Sequence, residues 1–507
     1  MKESNKRIAK NTVFLYIRMI GIMLVSLYTT RVVLNYLGVE DFGIYNVVGG
    51  IVALLGFLQS AMINASQRFI IFELGKGDNE QLKKTFSMSM TSHISIALLI
   101  LVLAETIGLW FVNTQLNIAD ERMNAVNWLY QFSVLTFIIN IIQVPYSALI
   151  IAHEKMSFYA YISISDAFLR LAVVFLLPII SFDKLSVYGG LMFLVPLIST
   201  TIYKVYCNKK FNVSKYKFNW DKKLYWQLMS FSGWSMLGGI ANVTARQGGN
   251  ILLNIYSGLI ANAALGIANQ VSAAVSAFAS NLLMAFNPQT IKYYAMGDKD
   301  NMHKMIFRAS SFSFYLVLLI AIPFFLNTDI ILHLWLKNVP QYTITFCQLM
   351  IVYQLIDMIQ APLETSITAT GNIKFYQIWL SSLLILNLPV SWYLLNIGWS
   401  PYWLLIIRVG LNFISAIIRT VFVKYFVNFP SWKYFTEVVC KSLIVTIVSY
   451  TLSLFIKECF NAGISGFVYT TMISIAITSL IIYLIGIHKT EREFINGLFL
   501  KVMRINQ

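Results

Sequence analysis

IQVPYSALIIAHEKMSFY, residues 142–159, and IQAPLETSITATGNIKFY, residues 359–376, are two copies of one segment. Ile142, Gln143, Pro145, Ile150, Ala152, Phe158 and Tyr159 recur unchanged at an offset of 217, seven identities in eighteen positions. Chance in so apolar a composition would give about one or two. Further matches lie on either side. Gly77-Asp78 pairs with Gly297-Asp298 at an offset of 220, and Leu34-Asn35 with Leu253-Asn254 at 219. The chain therefore contains two related halves.

The medium around them is lipid. Of 507 residues 58% are hydrophobic and 12% charged, where a soluble globular chain carries about 25% charged residues; mean hydropathy is +0.68. Apolar stretches of about 20 residues, the length that crosses a hydrocarbon core about 30 Å thick, recur along the whole chain. Spans fall at 12–35, 44–72, 86–112, 125–151, 161–180, 187–206, 228–256, 259–287, 310–332, 343–370, 376–396, 401–423, 441–458 and 465–487. The expected fold is all-α, a polytopic integral membrane protein of about fourteen helices. The N-terminal six-helix lobe is 1–206, a linker 207–227, the C-terminal six-helix lobe 228–424, and two further helices with a tail 425–507. A shift of six helices leaves both halves crossing in the same sense, the parallel kind of transporter repeat, with substrate expected between them.

A net charge of +16 invites a nucleic-acid reading, but the Lys and Arg residues alternate by loop. One set of loops holds Lys2, Lys6, Arg7 and Lys10, then Lys76, Lys83 and Lys84, Lys155, the 204–223 and 292–308 segments, Lys374, the Arg419 to Lys441 loop and the tail. The other holds only Arg122, Lys184, Lys337 and Lys457. That asymmetry is a topology signal that places both termini in the cytoplasm, so no nucleic-acid partner is expected. The first apolar segment is too long for a cleaved leader and carries Arg18 and Arg31, so it is expected to stay as the first helix. Cys207, Cys347, Cys440 and Cys459 have no paired spacing, and the five histidines form no ligand motif; no metal and no cofactor are implied. In the linker, Lys209, Lys210, Lys215, Lys217, Lys222 and Lys223 alternate with Phe211, Tyr216, Phe218 and Trp220, a pattern suited to an anionic leaflet surface.

The layout, with Thr30-Arg31 and the run Leu37-Gly38-Val39-Glu40-Asp41-Phe42-Gly43-Ile44-Tyr45, resembles the polysaccharide-transport (Wzx-type O-antigen flippase) family of the multidrug/oligosaccharidyl-lipid/polysaccharide exporter superfamily. The resemblance implies a transporter rather than an enzyme. It implies movement of an undecaprenyl-pyrophosphate-linked oligosaccharide to the outer leaflet of a bacterial cytoplasmic membrane, for O-antigen, capsule or exopolysaccharide assembly. Expected partners are that lipid-linked substrate, membrane lipids and other polysaccharide-assembly membrane proteins. A multidrug or lipid II exporter of the same superfamily is one alternative, and a membrane glycosyltransferase or O-antigen polymerase another. Arginines argue against a pocket for cationic drugs, and the short outer loops argue against a polymerase.

Six arginines lie within the spans: Arg18, Arg31, Arg68, Arg170, Arg246 and Arg408. Each costs about 2.5–3.5 kcal/mol near a helix centre unless it faces a wet cavity, finds a partner or snorkels to an interface. Asp166 precedes Arg170 by one turn, the order that suits a structural pair. Arg246 sits in the polar, glycine-rich Thr244-Ala245-Arg246-Gln247-Gly248-Gly249-Asn250. In the similar lipid II flippases, helices one, two, seven and eight frame a cationic cavity, and Arg18, Arg31, Arg68 and Arg246 fall on three of these. A guanidinium fork holds phosphate oxygens bidentately without losing its charge. Asn250, Asn269, Gln270 and Asn281 are the expected polar lining. Arg31 and Arg68 also lie close enough to helix ends to snorkel. Finally, Asn140, Gln143 and Ser147 correspond at 217 to Asp357, Gln360 and Glu364, each set on one helical face. Asp357, Gln360 and Glu364 are candidates for H+ or Na+ coupling, or the two acids balance arginine charge; both readings stand at this level.

Overall fold

The computed structural model describes residues 2–53, 56–114, 120–179, 182–218, 220–336, 338–460, 463–487 and 492. Among these, side chains are left out at 2–6, 27, 30, 31, 34, 35, 38–40, 42, 43, 46, 47, 49–53, 56 and 57. Regular structure in the described residues is helical: α1 Lys2–Ala53, α2 Gly56–Lys76, α3 Asn79–Thr114, α4 Asp120–Ala152, α5 Met156–Ile179, α6 Lys184–Lys210, α7 Lys222–Ala295, α8 Lys299–Leu336, α9 Thr343–Thr370, α10 Lys374–Asn396, α11 Tyr402–Val427, α12 Ser431–Glu458 and α13 Ile464–Gly486. Twelve are long and apolar enough to cross a membrane, all but α2. The longest, α7, breaks at Gly258 (φ 76°, ψ −173°) into two limbs, a backbone region essentially reserved for glycine. The limbs match the seventh and eighth expected spans. One expectation needs correction: residues 36–43, left between the first two expected spans, are helical, and α1 runs on to Ala53. Glycine pairs are well tolerated in membrane helices, so Gly38 and Gly43 do not end this one. The chain is a multi-pass membrane protein.

The repeated Gly-Asp motif has a mechanical reading. Gly77 (φ 78°) and Gly297 (φ 74°) end α2 and α7 in the left-handed conformation, where a residue without Cβ is least strained. Asp78 then caps α3, accepting from Gln81 N–H at 2.9 Å, which satisfies an orphan donor of the new helix. The other repeat is punctuated in the same way. Glu154 (φ 57°) and Gly371 (φ 80°) stand at equivalent places, offset 217, after α4 and α9, which carry the matching prolines Pro145 and Pro362.

By compactness the chain divides into unit 1, Met1–Ile240 with Ile291–Asp298 and Gly371–Ile378, and unit 2, Ala241–Thr290 with Lys299–Thr370 and Trp379–Gln507. In unit 1, Val48, Met62, Val126, Leu129, Tyr130 and Ile141 form one core, and Val33, Val174, Leu177 and Tyr188 another. In unit 2, Leu253, Leu265, Phe346, Met350 and Leu405 form the main core. A second cluster, Phe314, Leu318, Ile322, Val445 and Ile481, holds the last two helices to α8.

At the end of unit 1 away from the basic loops, Arg122 bridges two acids. It pairs with Asp41 of α1 and, at 2.6 Å, with Asp183, which precedes α6. Burial by itself would raise Asp183; hydrogen bonds from Ser186 N–H and hydroxyl and from Arg122 outweigh it and hold the carboxyl below its ordinary range. A depressed folded pKa contributes stability above the unfolded value of about 3.9 that is lost as pH falls through the folded one. Asp183→Asn should therefore melt below wild type at neutral pH, with the gap closing under about pH 4. A pH series of thermal unfolding measures this, and a gap that widens in acid would contradict it.

Candidate functional site

Unit 1 contains a cavity of about 570 Å³ walled by α1, α2, α4, α5 and α6. Its charged lining is Arg18, Asp166 and Arg170; Gln59, Asn140, Gln143, Ser147, Ser163 and Ser199 add amides and hydroxyls, and Tyr45, Tyr159, Tyr188 and Tyr203 add rings. The i, i+4 pair expected on α5 is formed: Arg170 Nε donates to Asp166 Oδ2 at 2.8 Å. Ser199 of α6 donates to the other oxygen at 3.0 Å, so both lone-pair faces of that carboxylate are engaged. Arg18 lies over the Tyr159 ring, 4.7 Å from its centroid, and its buried Nε has no hydrogen-bond partner. Asn140, Gln143 and Ser147, noticed in the sequence only as the neutral counterparts of an acidic set, line the same wall. The cavity can hydrogen-bond a polyhydroxylated ligand and offers it one cation not matched by an acid.

The other expected arginines go elsewhere. Arg68 is buried at the basic end of α2, over the Phe69 and Phe72 rings at 4.4 and 4.6 Å, and does not line the cavity. A Cβ built on Gly371 would stand 2.6 Å from an Arg68 nitrogen, so that left-handed turn also has to be glycine for lack of room. Arg246, on the first limb of α7 in unit 2, is exposed. Arg31 falls outside the described side chains. Within unit 1, Arg18 and Arg68 thus serve different places. Asn250 accepts no role in either cavity described here: it donates to Gln247 at 2.9 Å. Asn281 donates to the Ala277 carbonyl at 2.8 Å, Asn269 is half-buried and Gln270 exposed.

In unit 2 the acidic copy of the repeat is surrounded by cations. Glu364 pairs with Arg419 at 2.9 Å, and Arg419, Glu364 and Arg408 are the charges that act on Asp357. Arg408 stacks on Tyr353 at 4.8 Å. The loop charges had placed Arg419 outside the membrane; it lies inside α11 and is only 6% exposed. Gln360 is fully buried, donating to Asn412 at 2.6 Å and accepting from Ser415 at 2.9 Å, and so has little capacity left for an ion. A second cavity of about 640 Å³, between α8, α9, α11 and α12, is lined mainly by apolar groups, among them Phe314, Leu318, Ile359, Phe413, Ile417 and Leu443. It suits hydrocarbon. Neither cavity was visible in the sequence, where apolar and tyrosine-rich helices look alike whatever they face.

The basic end of unit 1 is locked by one carboxylate. Glu154, with its side chain 1% exposed, accepts from Lys292 at 2.6 Å and faces Arg7 at 3.7 Å. Beside it α2 and α7 approach so closely that a Cβ on Gly75 would lie 2.8 Å from that of Ala295. Gly75 and Ala295 are equivalents at offset 220, so the duplicated helices meet at matching residues. The linker packs here too, Tyr216 bonding Thr91 at 3.3 Å and Phe211 stacking on His153 at 4.1 Å.

No curated protein matches this chain. Solved structures share its fold. A multidrug resistance MATE family transporter of the MOP superfamily, in an outward-facing conformation, aligns over 84% of this chain and 96% of its own at 12% identity, TM-score 0.72. A MATE structure in the straight conformation aligns over the same shares at 13% identity, TM-score 0.71. A MOP superfamily transporter from Pyrococcus furiosus, described as having a binding pocket of reverse polarity that suggests a different function, aligns over 83% and 96% at 12% identity, TM-score 0.65. The sequence pattern of the family described as "Polysaccharide biosynthesis protein" matches residues 8–293, more than half of the chain. With that match and the resemblance in layout, the chain belongs to the polysaccharide biosynthesis protein family.

Proposed function

We propose that this protein is a transporter, with no catalytic role, that moves a lipid-linked oligosaccharide from the cytoplasmic to the outer leaflet of a bacterial cytoplasmic membrane by alternating access. The carrier is undecaprenyl pyrophosphate, and the product serves O-antigen, capsule or exopolysaccharide assembly. One observation carries the reading: the chain holds a polar, hydrogen-bonding cavity of about 570 Å³ and an apolar one of about 640 Å³. Each within its own unit, the first suits a saccharide and the second hydrocarbon. The family match supports polysaccharide as the product class. Basic loops orient both termini to the cytoplasm. Arg246, exposed in its glycine-rich stretch, is the arginine proposed to meet the pyrophosphate. Asp357, which has no ion pair among the described residues while Glu364 has one, is proposed as the coupling group for H+ or Na+.

A deletion strain should lose surface polysaccharide and accumulate its lipid-linked intermediate on the cytoplasmic face, shielded from reagents added outside. Accumulation on the outer face would replace the flippase reading with a later, polymerising step.

A further inference from the structure

We infer that the cavity of unit 1 is a saccharide subsite in which Arg18 selects a sugar bearing a single carboxylate. The inference rests on the flippase reading and narrows its substrate to an oligosaccharide containing an acidic sugar.

Size and lining come first. A volume of about 570 Å³ lies within the roughly 300–1,000 Å³ of sites that enclose small ligands. Amide and hydroxyl groups of Gln59, Asn140, Gln143 and Ser147 can both donate and accept, as sugar hydroxyls require. Tyrosine rings offer flat apolar faces to sugar C–H groups, each with a hydroxyl at its edge.

Charge then selects among sugars. The lining contains Arg18, Arg170 and Asp166, a formal excess of one positive charge. Asp166 is consumed by Arg170 and Ser199, so the excess resides on Arg18. Tyr159 covers one face of its guanidinium and thereby fixes its plane, while Arg18 itself lines the cavity as a donor. A planar two-pronged donor with one net charge matches a carboxylate in both geometry and valence. A pyrophosphate would bring more negative charge than the lining balances.

The repeat separates this chemistry from ordinary helix packing. At offset 217 Asp166 corresponds to Leu383, Arg170 to Asn387 and Tyr188 to Leu405. The Asp166–Arg170 pair belongs to the first copy only, whereas the second copy places its charges at the equivalents of Asn140 and Ser147.

The test is saturation-transfer NMR on the full-length protein in lipid nanodiscs with methyl β-D-glucuronide, methyl β-D-glucoside, glucose 1-phosphate and inorganic pyrophosphate. The glucuronide should bind about tenfold more tightly than the glucoside. Arg18→Gln should erase that preference and keep the weak glucoside signal, whereas Asn140→Ala should weaken both sugars alike. Equal binding of the two glycosides by wild type overturns the proposal, and needs no variant to fold. So does a preference that survives Arg18→Gln, or displacement of the glucuronide by glucose 1-phosphate or pyrophosphate at lower concentration, which would make the site a phosphate reader. Binding is measured without transport, so a glucuronide preference alongside a deletion strain lacking the stalled intermediate would refute flipping and leave the subsite standing.

Discussion

Glu154→Ala should destabilise the protein by about 3–5 kcal/mol, the cost of removing one partner from a buried ion pair. The carboxylate is almost wholly enclosed and Lys292 is 19% exposed at its side chain, whereas Arg7, at 54%, adds little. Alanine would strand the lysine ammonium among packed helix ends and keep the strain of a left-handed residue with a Cβ. Glu154→Gly removes that strain and should be milder by about 1 kcal/mol; it is the solution the second copy adopts at Gly371. Glu154→Ala with Lys292→Met should regain much of the loss, because the only cation then left without its carboxylate among those described is Arg7, which is exposed and solvated. Unfolding of the four proteins in detergent measures the cycle, and a single-variant loss below about 0.5 kcal/mol would show that the contact does not hold this end together.

Asp357→Asn should abolish gradient-driven transport while leaving expression and substrate binding in place. The first copy carries Asn140 at the matching position, so an amide fits the helix. It cannot take up and release a proton, and uncoupling should cost the accumulated gradient about 1–3 kcal/mol, a factor of about 5–150. The acids and arginines of this cluster, Asp357, Glu364, Arg408 and Arg419, sum to no net charge, and Glu364 already has Arg419 at 2.9 Å. The rival account is therefore electrostatic balance, in which Asp357→Asn fails because it leaves an uncompensated cation. The double variant Asp357→Asn with Arg408→Gln separates the two. Continued inactivity supports coupling, and restored gradient-driven transport refutes it.

Much of the architecture was legible in the chain itself. Lipid immersion, the duplication and the recurrence of the Gly-Asp motif follow from composition and punctuation, because each depends on local chemistry. The Asp166–Arg170 pair was readable because spacing along a helix fixes which side chains face one another. Arg18 and Arg68 were expected to share one cavity and lie at different places, since hydropathy gives depth along a helix and no angle around it. Arg419 was misplaced because a basic residue near a helix end looks the same in a loop or buried against a glutamate. Tyr203 went unremarked among 27 tyrosines and Tyr159 stood out only as a repeat identity, and Glu154 announced nothing of its left-handed turn, which is the business of glycine in most proteins.

The lock at the basic end also bears on inheritance. Residues 291–298 and 371–378 descend from the second copy, yet they are built into unit 1, where Lys292 answers Glu154, Ala295 answers Gly75 and Gly371 makes room for Arg68. The duplicated copies can therefore not drift as independent modules. A recombinant gene that exchanged everything after the 207–227 linker with a relative would separate three matched pairs of residues at once. A donor carrying the same small residues and the same cation at those places should be grafted with the least loss of stability, so the seam that tolerates exchange is set by these three pairs rather than by the boundary of the repeat.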